Sequence, residues 1–272
     1  MNEVFGSDAY APKQIADRVD AVGVAKARLP LLSLCMLGIL AGAFIGLGAM
    51  FFTLIKSDPS LGFATSQALG GLVFSLGLIL VIVAGAELFT GNNLLAMAWA
   101  DGKITTLDVL KNWSIVCLAN FIGAAGLALL VFLSGHPNLN QGAIAETYLA
   151  IANGKVSLSV WEAFFRGVLC NILVCMAVWM ALGGRSVTDK VVAIIFPISA
   201  FVAAGFEHSI ANMYFIPMGM LLQSITDYPI TVITWGGFFS NLIPVILGNL
   251  VGGSVFVALV YHLIYQRHSE PD

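Results

Sequence analysis

Hydrophobic residues run along this chain in six long blocks, at about 29–55, 67–100, 110–134, 160–182, 191–222 and 235–265, with polar residues gathered between them. A helix needs about 20 residues to cross the hydrocarbon of a bilayer, so four of the blocks fit a single crossing with some tilt or overhang. The other two are too long. As one straight helix, block 67–100 would extend roughly 50 Å, more than a bilayer requires. Both long blocks carry a polar interruption, so each is predicted to be a helix, a break and a half-helix. Six spans result.

The two interruptions read almost as copies. Gly85, Glu87, Thr90 and Asn92 punctuate the first; 120 positions on, Gly205, Glu207, His208 and Asn212 punctuate the second. Such residues are expensive in hydrocarbon unless they line a path or satisfy broken backbone. The halves match elsewhere too, Gly38, Gly42 and Gly46 against Gly167, Asn171 and Cys175, and Asn120 and Gly123 against Asn249 and Gly252. Three spans per half, an odd number, predicts that the second copy is inverted in the membrane. The expected fold class is an all-α membrane protein with six transmembrane helices in a 3+3 inverted repeat and two broken helices. Small residues four apart in the first span predict close helix packing.

Composition places the chain in a bilayer on independent grounds. Hydrophobic residues make up 59% and charged residues 10%, against about 25% charged in a soluble domain. A net charge of -3 with no basic stripe argues against nucleic acid. Cys35, Cys117, Cys170 and Cys175 all fall in apolar runs and read as core thiols, so no metal or cofactor is expected. Lys13, Arg18, Lys26 and Arg28 precede the first span, Lys103 and Lys111 follow the second, Arg185 and Lys190 the fourth, and Arg267 the sixth. The opposite loops hold only Lys56 and Lys155, which predicts that both termini are cytoplasmic. Residues 1–28 are then a cytoplasmic N-terminal segment, partly sticky through Ile15, Val19, Val22 and Val24. Residues 29–266 form a six-span transport domain, and 267–272 a cytoplasmic tail. Arg166, inside the fourth span, is expected to pair structurally with Glu162 at i-4.

Opening a helix at the midplane frees backbone N–H and C=O groups, and Glu87, Asn92, Glu207 and Asn212 are suited to satisfy them. Half-helices resuming near Asn93 and Met213 would aim two positive dipole ends at the middle, favouring an anion or a polar neutral solute over a cation. His208, the one histidine at a break, is the candidate pathway residue, and dry surroundings favour its neutral ring. The Thr90 hydroxyl could bond that ring, the solute or its own helix. Phe74 and Leu78 share a helix face, and Phe201 lies just before the second break. Apolar necks built from them would stop a bare ion more strongly than a neutral acid. Lys155 either gathers anions at a mouth or is simply solvated. An intramembrane enzyme using His208 and Ser209 has little support, because no H-E-x-x-H or serine-hydrolase pattern accompanies them. A purely structural membrane protein would explain the glycines but not the paired breaks.

The strings A-E-L-F-T-G at 86–91, C-N-I-L-V-C at 170–175, G-F-E-H-S-I-A-N-M at 205–213 and L-G-N-L-V-G-G at 247–253 resemble signatures of the formate/nitrite transporter family. That resemblance runs from about residue 26 onward. It implies an aquaporin-like fold assembled as a homopentamer in the cytoplasmic (inner) membrane, each protomer with its own pore. By the same resemblance His208 and Thr90 form the central pair, Lys155 is the outer-vestibule lysine, and Asn171 lines the pore. Phe74, Leu78, Leu88, Phe89 and Phe201 form the hydrophobic slits. The implied cargo is a small monovalent weak-acid anion, formate first, with His208 as proton donor or electrostatic partner and transport either channel-like or proton-coupled; nitrite and hydrosulfide are the alternatives. The glycine in Gly91-Asn92-Asn93 resembles nitrite-type members and leaves that choice open.

Overall fold

Pro12 opens the first helix, α1 (Pro12–Ala27), at a position where its missing N–H costs nothing. The structure, a computed structural model, describes residues 9–225 and 232–265. The tail 267–272, with Arg267, lies outside the described residues, as do the first eight residues of the N-terminal segment. Ile15, Ala16 and Val19 of α1 are buried against Met97, Trp179 and Val257. Lys103 ties the same helix down by bridging Asp101 and the buried Asp20. The bond to Asp101, then that to Asp20, pushes the Lys103 ammonium up to about 12.

Every regular element among the described residues is helical. The first half consists of α2 (Leu31–Lys56), α3 (Phe63–Gly85), a 3-10 turn (Gly91–Leu94) leading into α4 (Leu95–Ala100), and α5 (Thr106–Leu133). A loop helix, α6 (Ala143–Val156), connects it to the second half. There α7 (Val160–Gly183), α8 (Val187–Ala203), α9 (Ser209–Leu222) and α10 (Trp235–Tyr265) repeat the order. Thr105, Ser159 and Ser186 cap α5, α7 and α8 through reciprocal bonds with Asp108, Glu162 and Asp189. These capping boxes fix helix starts ahead of the apolar blocks, where hydropathy alone has no signal.

Helices α2, α3, α5, α7 and α10 are each long and apolar enough to cross a membrane. The 17 residues of α8 extend about 25 Å and, with α9 beyond the break, make the fifth span in chain order, which brings the total to six. Two boundaries differ from expectation. The half-helices begin at Gly91, as a 3-10 turn, and at Ser209, not near Asn93 and Met213; the second starts early because His208 caps it by accepting from Ala211 N–H at 3.2 Å.

The repeat packs α2 on α5 and, identically placed, α7 on α10. At the first crossing a Cβ on Gly123 would stand 1.9 Å from the Ile39 carbonyl oxygen, and one on Gly42 2.0 Å from that of Asn120. Backbone is the obstacle on both sides, so only hydrogen fits. Replacing Gly123 by alanine should cost about 1–3 kcal/mol, read as a lowered thermal midpoint of the detergent-solubilised protein. Gly154→Ala, where nothing lies within 4 Å, should leave that midpoint unchanged; equal effects would refute the crossing.

Candidate functional site

Both breaks begin at a glycine with positive φ, Gly85 at +89° and Gly205 at +71°, a conformation that other residues adopt only with strain. The freed backbone groups are then met one by one. Glu87 N–H donates to the Leu37 carbonyl, and Glu207 N–H to that of Arg166, each at 3.2 Å. Asn120 accepts from Phe89 N–H at 2.9 Å and donates to the Gly38 and Glu87 carbonyls at 2.7 and 2.9 Å. Asn249 repeats this, accepting from Ser209 N–H at 3.0 Å and donating to the Gly167 and Glu207 carbonyls at 2.8 and 3.0 Å. Each asparagine thus binds a break to the helix beside it.

Charge is handled with the same symmetry. Lys26 donates to Glu87 at 2.7 Å and to Asn92 at 2.9 Å, while Asn92 donates to Glu87 and to Asn112. In the other half Lys155 donates to Glu207 at 2.9 Å, and Asn212 donates to Glu207 and to Asn241. Asn112 and Asn241 return to the backbone carbonyls of Lys26 and Lys155. The side chains of Glu87, Asn92, Glu207 and Asn212, expected to satisfy the freed backbone groups, bond instead to one another and to lysine and asparagine side chains, while Asn120 and Asn249 meet the backbone. Lys155 is different: its side chain is 13% exposed and ion-paired, so it is not a solvated surface lysine, and its charge is already matched.

Three spaces lie in series along the repeat interface. A cavity of about 530 Å³ on the α1 side is lined by Val19, Lys26, Leu78, Glu87 and Leu88, among others. On the opposite side, a cavity of about 230 Å³ is lined by Lys56, Phe74, Lys155, Phe201, Glu207 and His208, among others. Between them sits a pocket of about 10 Å³ walled by Ile45, Phe74, Leu78, Leu88, Val174, Ile198, Phe201 and His208, room for about one water. Leu78 and Leu88 border the first cavity and the pocket; Phe74, Phe201 and His208 border the second cavity and the pocket. The rings of Phe74 and Phe201 meet edge to face at 5.8 Å, and His208 stacks on Phe201 at 5.8 Å. An apolar neck therefore closes each side of the central pocket.

His208 is the polar point in that pocket. Its Nδ1 accepts from Ala211 N–H at 3.2 Å, so in the neutral ring the proton sits on Nε2, which donates to the Thr90 hydroxyl oxygen at 3.0 Å. Of the three roles open to Thr90, the structure chooses contact with the ring. Thr90 itself is fully buried and borders none of the three spaces. Cys175 and Asn171 hold its carbonyl through bonds of 3.3 and 3.2 Å.

Several expected roles change. Asn171 borders none of the three spaces; it donates to Asn93 Oδ1 at 2.8 Å and to the Asn249 carbonyl at 2.7 Å, clamping the first break to the last span. Phe89 is buried but borders none of the three spaces, whereas its neighbour Leu88 enters the neck. Arg166 meets Glu162 only at 3.9 Å, with both side chains about half exposed, so their pair is loose and peripheral. Glu162 is occupied in capping its own helix, and the Arg166 carbonyl, rather than its side chain, serves the second break. The positive end of α9 does not point freely at the centre either, since Ser209 and Ala211 N–H are already taken by Asn249 and His208.

Lys26, Asn112 and Asn241 are site residues that hydropathy alone does not single out, and Asn120 and Asn249 stand out only as matched letters. A signal exists: the spacing of 129 that pairs Asn120 with Asn249 also pairs Lys26 with Lys155 and Asn112 with Asn241.

Comparison with known proteins agrees with this architecture. The family model described as formate/nitrite transporter matches residues 13–263. The formate channel FocA of Haemophilus influenzae is 38% identical, with 98% of this chain and 99% of that protein covered. FocA of Escherichia coli K12 is also 38% identical, with 97% of each covered. The transporter YrhG of Bacillus subtilis, uncharacterized, is 41% identical over 94% of each. A solved structure described as a pentameric formate channel with formate bound superposes with a TM-score of 0.81 at 37% identity, covering 87% of this chain and 98% of that one.

Proposed function

Because the chain belongs to the formate/nitrite transporter family, we propose that it passes formate across the cytoplasmic membrane, down its gradient, as a homopentamer with one pore per protomer. The observation that carries this reading is the single imidazole N–H set between two apolar necks at the meeting point of an inverted repeat. Formate is small, planar and a weak acid. An anion leaving either cavity sheds its water at the neck, where an uncompensated charge is costly. At the centre, His208 Nε2–H has two possible acceptors, the Thr90 hydroxyl and the arriving anion, and the anion is the stronger. The ring answers the charge first by hydrogen bonding.

Donating a net proton is a further step. It requires protonation of Nδ1, which gives up the Ala211 N–H bond and so loosens the cap of α9. Proton coupling is thereby tied to a local opening of the second half-helix. On this reading Lys155 and the cavity around it face outward, and α1 with both termini faces the cytoplasm.

The test is a liposome flux panel of formate, nitrite, hydrosulfide and lactate. Formate is expected to pass fastest and lactate slowest, since the central space holds about one water. Faster nitrite would move the assignment to a nitrite channel of the same family, and no anion flux at all would overturn it.

A further inference from the structure

Lys155 and Glu207 neutralise one another in the cavity on the His208 side, so that pair gives an approaching anion no net attraction. The same cavity holds a second lysine, Lys56, at the end of α2. Its ammonium donates to Gln67 Oε1 at 2.8 Å, and Gln67 Nε2 donates to the Ala203 carbonyl at 3.1 Å, two residues before the glycine that opens the second break. An amide accepts a hydrogen bond without cancelling charge. Lys56 forms no ion pair among the described residues; the nearby Asp58 carboxylate instead accepts from Ser60 N–H at 2.8 Å. The ionisable groups lining the cavity are Lys56, Lys155, Glu207 and His208. With the ring neutral, they sum to a single positive charge, and Lys56 holds it.

We infer that Lys56 is the electrostatic collector for anions entering the pore from the His208 side, and that Gln67 holds its ammonium over the cavity. The inference rests on the transport reading above and names a specificity-determining residue within it. Gln67 fixes Nζ at the mouth where an unlatched lysine would sample bulk water, and two of its N–H groups remain for a solute. A fixed charge at a low-dielectric mouth raises the local concentration of counter-ions. The α1-side cavity keeps the same balance, with Lys190 beside the Lys26–Glu87 pair.

A purely structural role is also available, because a cation on the last turn of α2 favours the helix terminus. The two roles differ in their salt dependence. Screening length falls from about 30 Å at 0.01 M to about 4 Å at 0.5 M ionic strength, so a collector loses its effect in high salt.

The experiment compares formate permeability of liposomes carrying wild type, Lys56→Gln, Lys56→Arg and Gln67→Leu, at both ionic strengths in an impermeant salt, with thermal midpoints of each variant. Lys56→Gln should lower permeability about three- to tenfold at low salt and leave it near wild type at high salt. Lys56→Arg should keep most of the low-salt rate, and Gln67→Leu should lose part of it. Equal fractional losses at both salts, or none, would overturn the inference while leaving the formate reading intact. If the wild type passes another anion of the panel and not formate, the same comparison is made with that anion. Wild-type liposomes impermeable to every anion would overturn both.

Discussion

Removing Lys155 alone is expected to do more harm than removing it together with its partner. Glu207 is buried, with one carboxylate oxygen on Lys155 and the other on Asn212 and Asn241. Lys155→Met would leave that carboxylate without a counter-charge, and breaking a buried pair from one side costs about 3–5 kcal/mol. The lone negative charge would also sit in the cavity that an anion must cross, so flux falls along with stability. Adding Glu207→Gln removes the orphaned charge and keeps an amide oxygen for Asn212, so most of the stability returns. A double-mutant cycle on thermal midpoints measures the coupling. A double variant that loses the sum of the two single losses would show that the two side chains act independently. The matching change on the α1 side, Lys26→Met, should cost less, because the Lys26 side chain is 26% exposed against 13% for Lys155.

Much of this architecture was legible before any coordinates, for a physical reason. A bilayer admits few structures, so six apolar blocks, two of them too long and both interrupted by Gly, Glu and Asn, leave little room for another fold. The spans, the inverted repeat, the breaks and the central histidine all followed from that constraint. What stayed hidden was the partnership between side chains. Lys155 read as a loop cation because nothing local revealed that α6 folds back to bring it onto Glu207, 52 positions away. Lys26 read only as an orienting charge, though it reaches Glu87 across 61 positions.

Asn171 and Phe89 failed for a different reason. Both lie near lining residues in sequence, but neither borders any of the three spaces. Leu88 enters the neck and Phe89, its neighbour, does not. Where the repeat is obeyed, position predicts role, as Ile45 and Val174, Leu78 and Ile198, and Leu88 and His208 occupy matching places around the central pocket. Among these pairs the polar asymmetry lies in the last, while Phe74 and Phe201 wall the pocket without counterparts there. One half presents a leucine that cannot hydrogen-bond, and the other an imidazole that caps a helix with one nitrogen and offers a proton with the other.

That double duty makes His208 the position where substitution should most change transport, and two replacements separate its tasks. His208→Phe removes both the cap and the N–H. Loss of the cap costs about 0.5–2 kcal/mol of stability, and loss of a hydrogen bond to a charged solute, worth about 1.5–3 kcal/mol, should slow formate flux roughly ten- to a hundredfold. His208→Asn keeps an oxygen able to accept from Ala211 N–H, so its thermal midpoint should stay near wild type, but its shorter amide does not reproduce the donor at Nε2. Flux through it should therefore fall as far as in the phenylalanine variant although the fold is intact. Liposome flux across a pH series provides the second readout, and any pH dependence that comes from protonating the ring should vanish in both variants. Should His208→Asn carry formate at the wild-type rate, the anion is met by some other group; should His208→Phe keep the wild-type pH profile, the ring takes no part in moving protons.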